Sequence, residues 1–251
     1  MNIYKFSTAK CLSLVAMSLL LASLTSCVMY RPQVVQAPLI HEKGQLQMNA
    51  SIGLSPMGGD AYLGGTVTYG VTDWLAVQAH GNWGGAKGGY TQAAVGGYKS
   101  WGKAVLEGYL GYGFGLGHWE QKDSADVVTR LTEGHYHMPF AQCNFGWAGL
   151  ANDHIDIGVA FKVGGMFPNI TDTKIKSGDI LTCTSPALVL EPQFFFRAGG
   201  PHLKWTLDIG YSHLLGGSMN DSYFFGNTGV SYTPITIITG ITYDLYIFRN
   251  R

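Results

Sequence analysis

The sequence predicts an all-β protein, a transmembrane antiparallel up-and-down β-barrel of about ten strands (eight are possible) behind an N-terminal lipoprotein signal peptide. Segments of roughly ten residues alternate apolar and polar side chains along most of the chain, as strands with one lipid-facing side do. Short turns alternate with longer connections, and an apolar leader precedes the pattern. A soluble β-sandwich is the alternative, because its strands alternate in the same way.

Composition narrows the possible functions. The 251 residues carry 16 basic and 16 acidic side chains, so the formal net charge is zero. Without a basic excess the chain has no electrostatic attraction to nucleic acid, and no nucleic-acid partner is expected. The 35 glycines occur without proline-rich tracts, which fits crowded strands and tight turns. The length suits one barrel or two ordinary domains.

Residues 1–26 are predicted to be a lipoprotein signal peptide. Lys5 and Lys10 supply a positive start, and Cys11–Leu24 is nearly continuously apolar but too short for a convincing membrane-spanning helix. The end of this leader, Leu24-Thr25-Ser26-Cys27, resembles the bacterial lipobox. The resemblance implies a lipid anchor at Cys27, a mature N-terminus carrying a diacylglycerol and an acyl chain. An ordinary secretory signal is the alternative, and no other cofactor is expected.

The residue after the cysteine bears on where the lipid is held. Position 28 is Val28, where an aspartate usually signals retention in the inner membrane, and no acidic cluster follows. By resemblance to lipoprotein sorting signals, this favours an integral barrel in the outer membrane of a Gram-negative cell, with its lipid anchor in the periplasmic leaflet.

Residues 27–44 are predicted to be a lipid-anchored periplasmic linker, because they contain two prolines and no sustained period. The run Tyr30-x-Pro32, then Pro38-Leu39-Ile40, then Glu42-Lys43-Gly44-x-x-Gln47 resembles a group of barrel-bearing lipoproteins of Bacteroidota. The resemblance continues through Tyr69-Gly70-Val71-Thr72-Asp73 and covers about the first third of the mature chain. It implies a role in machinery for barrel insertion or secretion.

Residues 45–251 are predicted to form the barrel. The pattern is clearest in the hairpin Ala61–Trp83, where Leu63 and Val67 alternate with Thr66 and Thr68 around the turn Thr72-Asp73. The remaining predicted strands are Gln45–Ser55, Tyr90–Lys99 (weakly patterned), Ala104–His118, His135–Ala148, His154–Phe167, Ala187–Ala198, Leu203–Leu214 and the long run Tyr223–Phe248, whose parity changes near Pro234. Even-numbered connections are short, and Trp119–Gly134 and Pro168–Ser185 are predicted as long outer loops. Both chain ends are therefore expected in the periplasm.

Aromatic residues cluster near the predicted strand ends, as interfacial girdles do. On the periplasmic side these are Tyr69, Trp74, Tyr98, Trp101, Trp147 and Tyr246, and on the outer side Tyr62, Trp83, Trp119, Tyr136 and Phe167.

Charged residues of both signs recur at inward-facing positions of the predicted strands. In a narrow barrel the interior is filled by side chains, and buried charges must be paired. The pattern favours a structural salt-bridge network that plugs the lumen, with a proton or ion path as the alternative. The predicted lumen network consists of Glu107, Asp156, Lys162, Glu191, Arg197, Lys204 and Asp208.

Histidines His118, His135 and His137 flank the first predicted outer loop, which also contains Ser124. A histidine, a serine and an acidic group near this rim would suit an enzyme that modifies lipid A or lipopolysaccharide, and His-x-His could bind a metal. No spacing selects a catalytic triad, so no catalytic residue and no metal site are predicted. The glycines Gly111, Gly113, Gly115 and Gly117 lie within a strand, where they make room for bulky neighbours.

The sequence therefore predicts a non-enzymatic structural or accessory subunit of an outer-membrane assembly for barrel insertion or secretion. Its expected partners are outer-membrane lipids and other outer-membrane proteins or lipoproteins. A lipid-A-modifying enzyme that uses the rim histidines is one alternative, and a narrow pore is the other.

Overall fold

A computed structural model describes residues 28–30, 35–55, 60–84, 88–217, 219–220, 230–232 and 234–246. The predicted signal peptide and Cys27 lie outside the described residues. Within the described ranges, no helix is long and apolar enough to cross a membrane.

The described residues form strands almost throughout. In chain order the strands are β1 (Val28–Tyr30), β2 (Gln45–Ser55), β3 (Asp60–Gly70), β4 (Leu75–Trp83), β5 (Gly88–Trp101), β6 (Ala104–Lys122), β7 (Val128–Gly149), β8 (Ile155–Lys174), β9 (Asp179–Cys183), β10 (Ala187–Gly199), β11 (Leu203–Tyr211), β12 (His213–Leu215), β13 (Met219–Asn220), β14 (Val230–Tyr232) and β15 (Ile235–Tyr246). A tight turn at Leu150–Asp153 joins β7 to β8, and Ala151, Asn152 and Asp153 have positive φ there.

Ten of these strands close into one barrel. The hydrogen-bonded order is β10-β11-β15-β2-β3-β4-β5-β6-β7-β8, and β8 pairs with β10 to complete the ring. Every pairing around the ring is antiparallel. The all-β, up-and-down barrel prediction is confirmed, at the larger of the two strand counts.

The alternation that predicts the strands also sets the two faces of the wall. In the hairpin β3–β4, Leu63 and Val67 point outward and are exposed, whereas Thr66, Thr68 and Gln78 point inward and are buried. Apolar side chains on the outer face and polar side chains on the inner face suit a barrel that is surrounded by lipid.

The wall is much taller on one side. Strands β6, β7 and β8 contain 19, 22 and 20 residues, whereas β4 and β11 contain nine each. Because a tilted strand crosses the hydrocarbon in about 9–11 residues, the tall strands continue about ten residues beyond the membrane. We call the part formed by the outer ends of β6–β8 together with β9 the raised wall.

The prediction of two long outer loops is wrong, because strands occupy most of both segments. Strands β6 and β7 continue through most of Trp119–Gly134 and leave a tight turn at residues 123–127, and β8 and β9 occupy much of Pro168–Ser185. The regular apolar–polar alternation ends above the membrane because water replaces lipid outside, so polar side chains also occur on the outer face there.

The last predicted run, Tyr223–Phe248, divides at Pro234, where its parity changes and a bulge or an extension beyond the membrane is expected. The part before Pro234 contributes β14 to a separate three-stranded sheet with β1 and β13, and the part after it forms β15 of the barrel. Proline cannot donate a ladder hydrogen bond, and the Pro234 carbonyl instead accepts one from the Ser212 amide (2.7 Å).

Candidate functional site: a lumen filled by the N-terminal segment

The lumen is occupied by the chain itself. Residues 35–41, predicted as part of a periplasmic linker, lie inside the barrel, and the side chains of Val35, Ala37, Leu39 and Ile40 are at most 1% exposed. This corrects the expected position of the linker. We call residues 28–30 and 35–41 the lumenal segment.

Its hydrogen bonds show which way the lumenal segment runs. Strand β10 descends from the outer side to the periplasmic turn, and its partners follow that order: the Tyr30 hydroxyl donates to Glu191, the Val35 amide donates to Gln193 Oε1 (2.9 Å), and Arg197 donates to the Ala37 carbonyl. Tyr30 is therefore farthest out and Ala37 nearer the periplasm.

The lower end of the lumenal segment is fixed at the periplasmic rim. Gln47 Nε2 donates to the Pro38 carbonyl (2.7 Å), the Ile40 amide donates to Glu107 Oε1 (2.7 Å), and the His41 amide donates to Gln45 Oε1 (2.9 Å). Gly44 then donates to the Gly70 carbonyl (2.8 Å) where β2 begins.

Inward-facing amides satisfy the backbone of the lumenal segment. A buried backbone outside a sheet must find other partners for its N–H and C=O groups. Gln193 bonds both groups of Val35, and the Gln36 carbonyl accepts from Gln78 Nε2 (3.2 Å) and Gln142 Nε2 (2.7 Å). Amide side chains suit this task because each both donates and accepts.

Apolar contacts complete the fit. Val35, Ala37 and Leu39 pack against Val105, Ala160 and Phe195 of the inner wall. Alternate residues of an extended chain share one side, which explains why the apolar residues of this stretch occupy every second position.

All seven residues of the predicted lumen network are buried. Lys162 Nζ lies 2.7 Å from Glu191 Oε2, and Lys204 Nζ lies 2.6 Å from Asp156 Oδ1. The other three members bond or face different partners. Glu107 accepts from Asn144 Nδ2 (2.9 Å) and from Ile40, Arg197 holds the Ala37 carbonyl, and Asp208 lies within electrostatic reach of Arg197.

Two of these charged residues hold a peptide that was not predicted from the sequence. Glu107 and Arg197 bind backbone groups of the lumenal segment, so the lumen is filled by a chain segment as well as by ion pairs. The excess of inward-facing glutamines was the available signal, because amides pointing into a narrow lumen need partners.

The outer half of the lumen contains a cluster of aromatic and apolar side chains around Tyr30. The ring of Tyr30 meets Tyr136 edge-on at 5.6 Å, and Tyr90 stacks on Tyr136 at 6.0 Å. Met138 and Met166 pack in the same cluster. Strand β1 also pairs in parallel with β14. The lumen is thus filled at this level too.

Four aromatic residues that were predicted in the interfacial girdles have side chains inside the barrel instead. Tyr62, Tyr98, Trp119 and Tyr136 are buried, whereas Trp74, Trp83, Trp101, Trp147 and Phe167 are exposed on the outer surface of the wall. The glycines of β6 make room for the inward rings: a Cβ on Gly113 would lie 1.9 Å from the Tyr90 hydroxyl, and one on Gly115 would lie 2.1 Å from Tyr136.

A cavity of about 250 Å³ opens below the lumenal segment. Leu39 and His41 form part of its wall, together with the Asp156–Lys204 pair and Asp244. It is large enough to admit water and small ions to the periplasmic end of the lumen.

The rim histidines lie on the outside of the wall. His135 and His137 have ring centroids 5.6 Å apart, and the Tyr112 hydroxyl lies 2.6 Å from His137 Nδ1. His118 lies 3.3 Å from Glu120 and 3.7 Å from Glu133.

Ser124 is not part of this group. It lies six residues beyond His118 on the extended path of β6, which places it roughly 20 Å farther out. Across the described ranges, no group of three or more histidine, cysteine or acidic side chains converges as a metal site would.

No family model matches the chain, and no curated protein matches it. Among solved structures, the barrel is similar to the outer membrane protease OmpT from Escherichia coli, with 10% identity over 80% of this chain and 95% of that chain and a TM-score of 0.51. A match to the outer membrane protein OprG from Pseudomonas aeruginosa has 12% identity, covers 82% of this chain and 98% of that one, and has a TM-score of 0.36.

These comparisons correct one prediction. The expectation of a non-enzymatic protein rested on the lack of a catalytic set in a small closed barrel, and it is contradicted because an outer-membrane protease has this barrel fold. One fold hosts many functions, and residues from separate strands can meet at a rim without any sequence spacing that shows it. The chain is a closed ten-stranded barrel protein of the outer-membrane type.

Proposed function

We propose that the protein is an accessory subunit of a larger outer-membrane assembly, with the barrel as its membrane anchor and the β9 edge of the raised wall as its docking surface. The observation that carries the proposal is the exposed edge of β9 at residues 179–182. The filled lumen also favours it over a pore, since the polar interior is occupied by the lumenal segment.

The edge of β9 has the character of a binding surface. Among the described strands β9 pairs only with β8, so at residues 179–182 no second described strand covers its other edge. Ile180 is 67% exposed and Leu181 is 43% exposed. These neighbours point to opposite faces of the sheet, so both faces of β9 are exposed at this position.

The partner we propose is an outer-membrane protein that adds a strand to this edge. Strand addition combines main-chain hydrogen bonds with pockets for alternate side chains. The resemblance to barrel-bearing lipoproteins of Bacteroidota suggests the kind of assembly, namely machinery for barrel insertion or secretion.

A pull-down from native membranes in mild detergent tests this proposal. The full chain should bring down an outer-membrane partner in stoichiometric amount, and Ile180→Asp should lose it because a charge replaces an apolar contact at the edge. Val127→Asp is the matched control, since it makes the same kind of change at an exposed residue of the β6–β7 turn. Recovery of the chain alone in all three preparations would refute the proposal.

A second candidate function is catalysis at the outer rim, which the position of His118 beside Glu120 and Glu133 favours. Carboxylates beside a histidine orient it and support general-base chemistry. Lipid A from cells carrying the intact chain would then differ in mass from that of His118→Ala cells, whereas His154→Ala, at the periplasmic turn, would behave as the intact chain. Identical lipid A in all three strains would remove this candidate.

A further inference from the structure

The direction of the lumenal segment determines where the mature N-terminus emerges. Gly44 lies at the periplasmic rim and Tyr30 lies among the outer aromatics, and residues 35–41 lie in the lumen between these two levels. The fourteen residues that lead from Tyr30 to Gly44 could span up to about 48 Å when extended. That length exceeds the hydrocarbon thickness of about 30 Å.

The residues before Tyr30 continue outward. Val28 pairs with Ser231 and Tyr30 with Tyr232, so β1 runs parallel to β14. Strand β14 belongs to the outer connection between β12 and β15, and β15 begins its descent at Ile235 on the outer side. The backbone of Val28 is therefore held in a sheet with an outer loop, and residue 27 is bonded directly to it.

We propose that the N-terminus emerges on the cell surface after passing through the barrel, and that the lipid predicted on Cys27 is held in the outer leaflet. This inference rests on the predicted lipobox and does not depend on the proposed docking function. It replaces the expected anchor in the periplasmic leaflet, because a lipid held there would require withdrawal of the lumenal segment.

The reach of the chain allows this placement. Ten strands spaced about 4.8 Å apart and tilted by about 40° enclose a barrel of roughly 10 Å radius. Three extended residues, from Tyr30 to Cys27, also span about 10 Å. The residues before Tyr30 are thus long enough to bring a lipid on Cys27 from the lumen to the barrel wall.

With the lipid in the outer leaflet, the lumenal segment would be held at both of its ends. Acyl chains in the outer leaflet would hold its upper end, and the covalent continuation into β2 holds its lower end. The hydrogen bonds from Gln193, Arg197 and Gln47 fix the part between. The segment would be released only by extraction of the lipid from the membrane.

Site-directed thiol labelling of intact cells tests the proposal. In a chain with Cys143→Ser and Cys183→Ser, a membrane-impermeant maleimide is applied to Val28→Cys and, separately, to Met29→Cys. Neighbouring strand residues point to opposite sides, so at least one thiol should be accessible. Lys176→Cys, in the outer β8–β9 turn, is the positive control, and Lys43→Cys, at the periplasmic rim, is the negative control.

Labelling of position 28 or 29 on intact cells, to at least half the level of Lys176→Cys, would support the proposal. Labelling of both only after the outer membrane is permeabilised, as expected for Lys43→Cys, would overturn it, and so would labelling only after denaturation. Mass spectrometry of the N-terminal peptide tests the lipid separately: acyl mass on Cys27 that is lost in Cys27→Ser supports the leaflet assignment, and a mature N-terminus without acyl chains overturns it.

Discussion

The ion pair Lys162–Glu191 illustrates how individual residues stabilise the lumen. Both side chains are buried, and Tyr30 donates to the same carboxylate. A buried pair contributes little compared with an apolar replacement of both partners, but the loss of one partner leaves an uncompensated charge. The pair therefore connects the lumenal segment to the wall through a site that tolerates few single substitutions.

Lys162→Met should lower the free energy of unfolding by about 3–5 kcal/mol, because it leaves Glu191 charged and without its cation. Denaturant unfolding in detergent measures this change. Lys176→Met is the control, since it removes an exposed lysine 3.4 Å from Asp123, and such surface pairs contribute about 0–1 kcal/mol. A loss for Lys162→Met no larger than that of the control would contradict the assignment.

The pair Arg130–Asp172 in the raised wall predicts that the stability of the fold depends on pH. Burial acts to raise the pKa of Asp172, but hydrogen bonds from Arg130 and Thr132 outweigh it, so the pKa lies below its ordinary value of 3.8. The pair therefore stabilises the fold above about pH 4, and this contribution is lost as the pH falls through the lower folded-state value. The unfolding midpoint, followed from pH 6 to pH 2, should fall less steeply in Asp172→Asn than in the intact chain. Equal slopes would contradict this.

At the scale of elements, the sequence identifies transmembrane strands well and other segments poorly. Strand β2 has the predicted bounds, Gln45–Ser55, because lipid outside and polar groups inside impose strict alternation. The raised wall lacks lipid on its outer face, so its strands resemble loops in sequence. The lumenal segment resembles a linker, because its partners are side chains from distant strands, which no local pattern shows.

The close approach of Gly113 in β6 to Tyr90 in β5 predicts that substitutions at these two positions have coupled effects on stability. Gly113→Val should destabilise the barrel by about 1–3 kcal/mol, because the new side chain would occupy the position of the Tyr90 hydroxyl. Adding Tyr90→Ala to this variant should recover part of the loss. Gly108→Val is the control, because its nearest neighbour would be 4.0 Å away. Temperature-dependent mobility on gels compares the four proteins, and equal effects of the two glycine substitutions would argue against the coupling.

At the scale of the whole molecule, the structure combines a closed barrel, a lumenal segment that fills it and a raised wall that extends beyond the membrane. The barrel was predictable because one physical rule, lipid outside, applies to every strand. The raised wall and the lumenal segment, on which the proposals rest, depend on tertiary pairing. The sequence predicted the charges that line the lumen but not the peptide between them.

The most direct test of a self-filled lumen is conductance in planar bilayers. The intact chain should be silent, whereas a variant lacking residues 28–41 should show discrete steps, because its removal opens a polar interior. If that variant does not fold, Gln193→Ala combined with Gln142→Ala should leave the N–H and C=O groups of Val35 without Gln193, remove one donor to the Gln36 carbonyl and allow intermittent opening. Equal conductance from the intact chain and the deletion variant, both shown to be folded, would contradict the account.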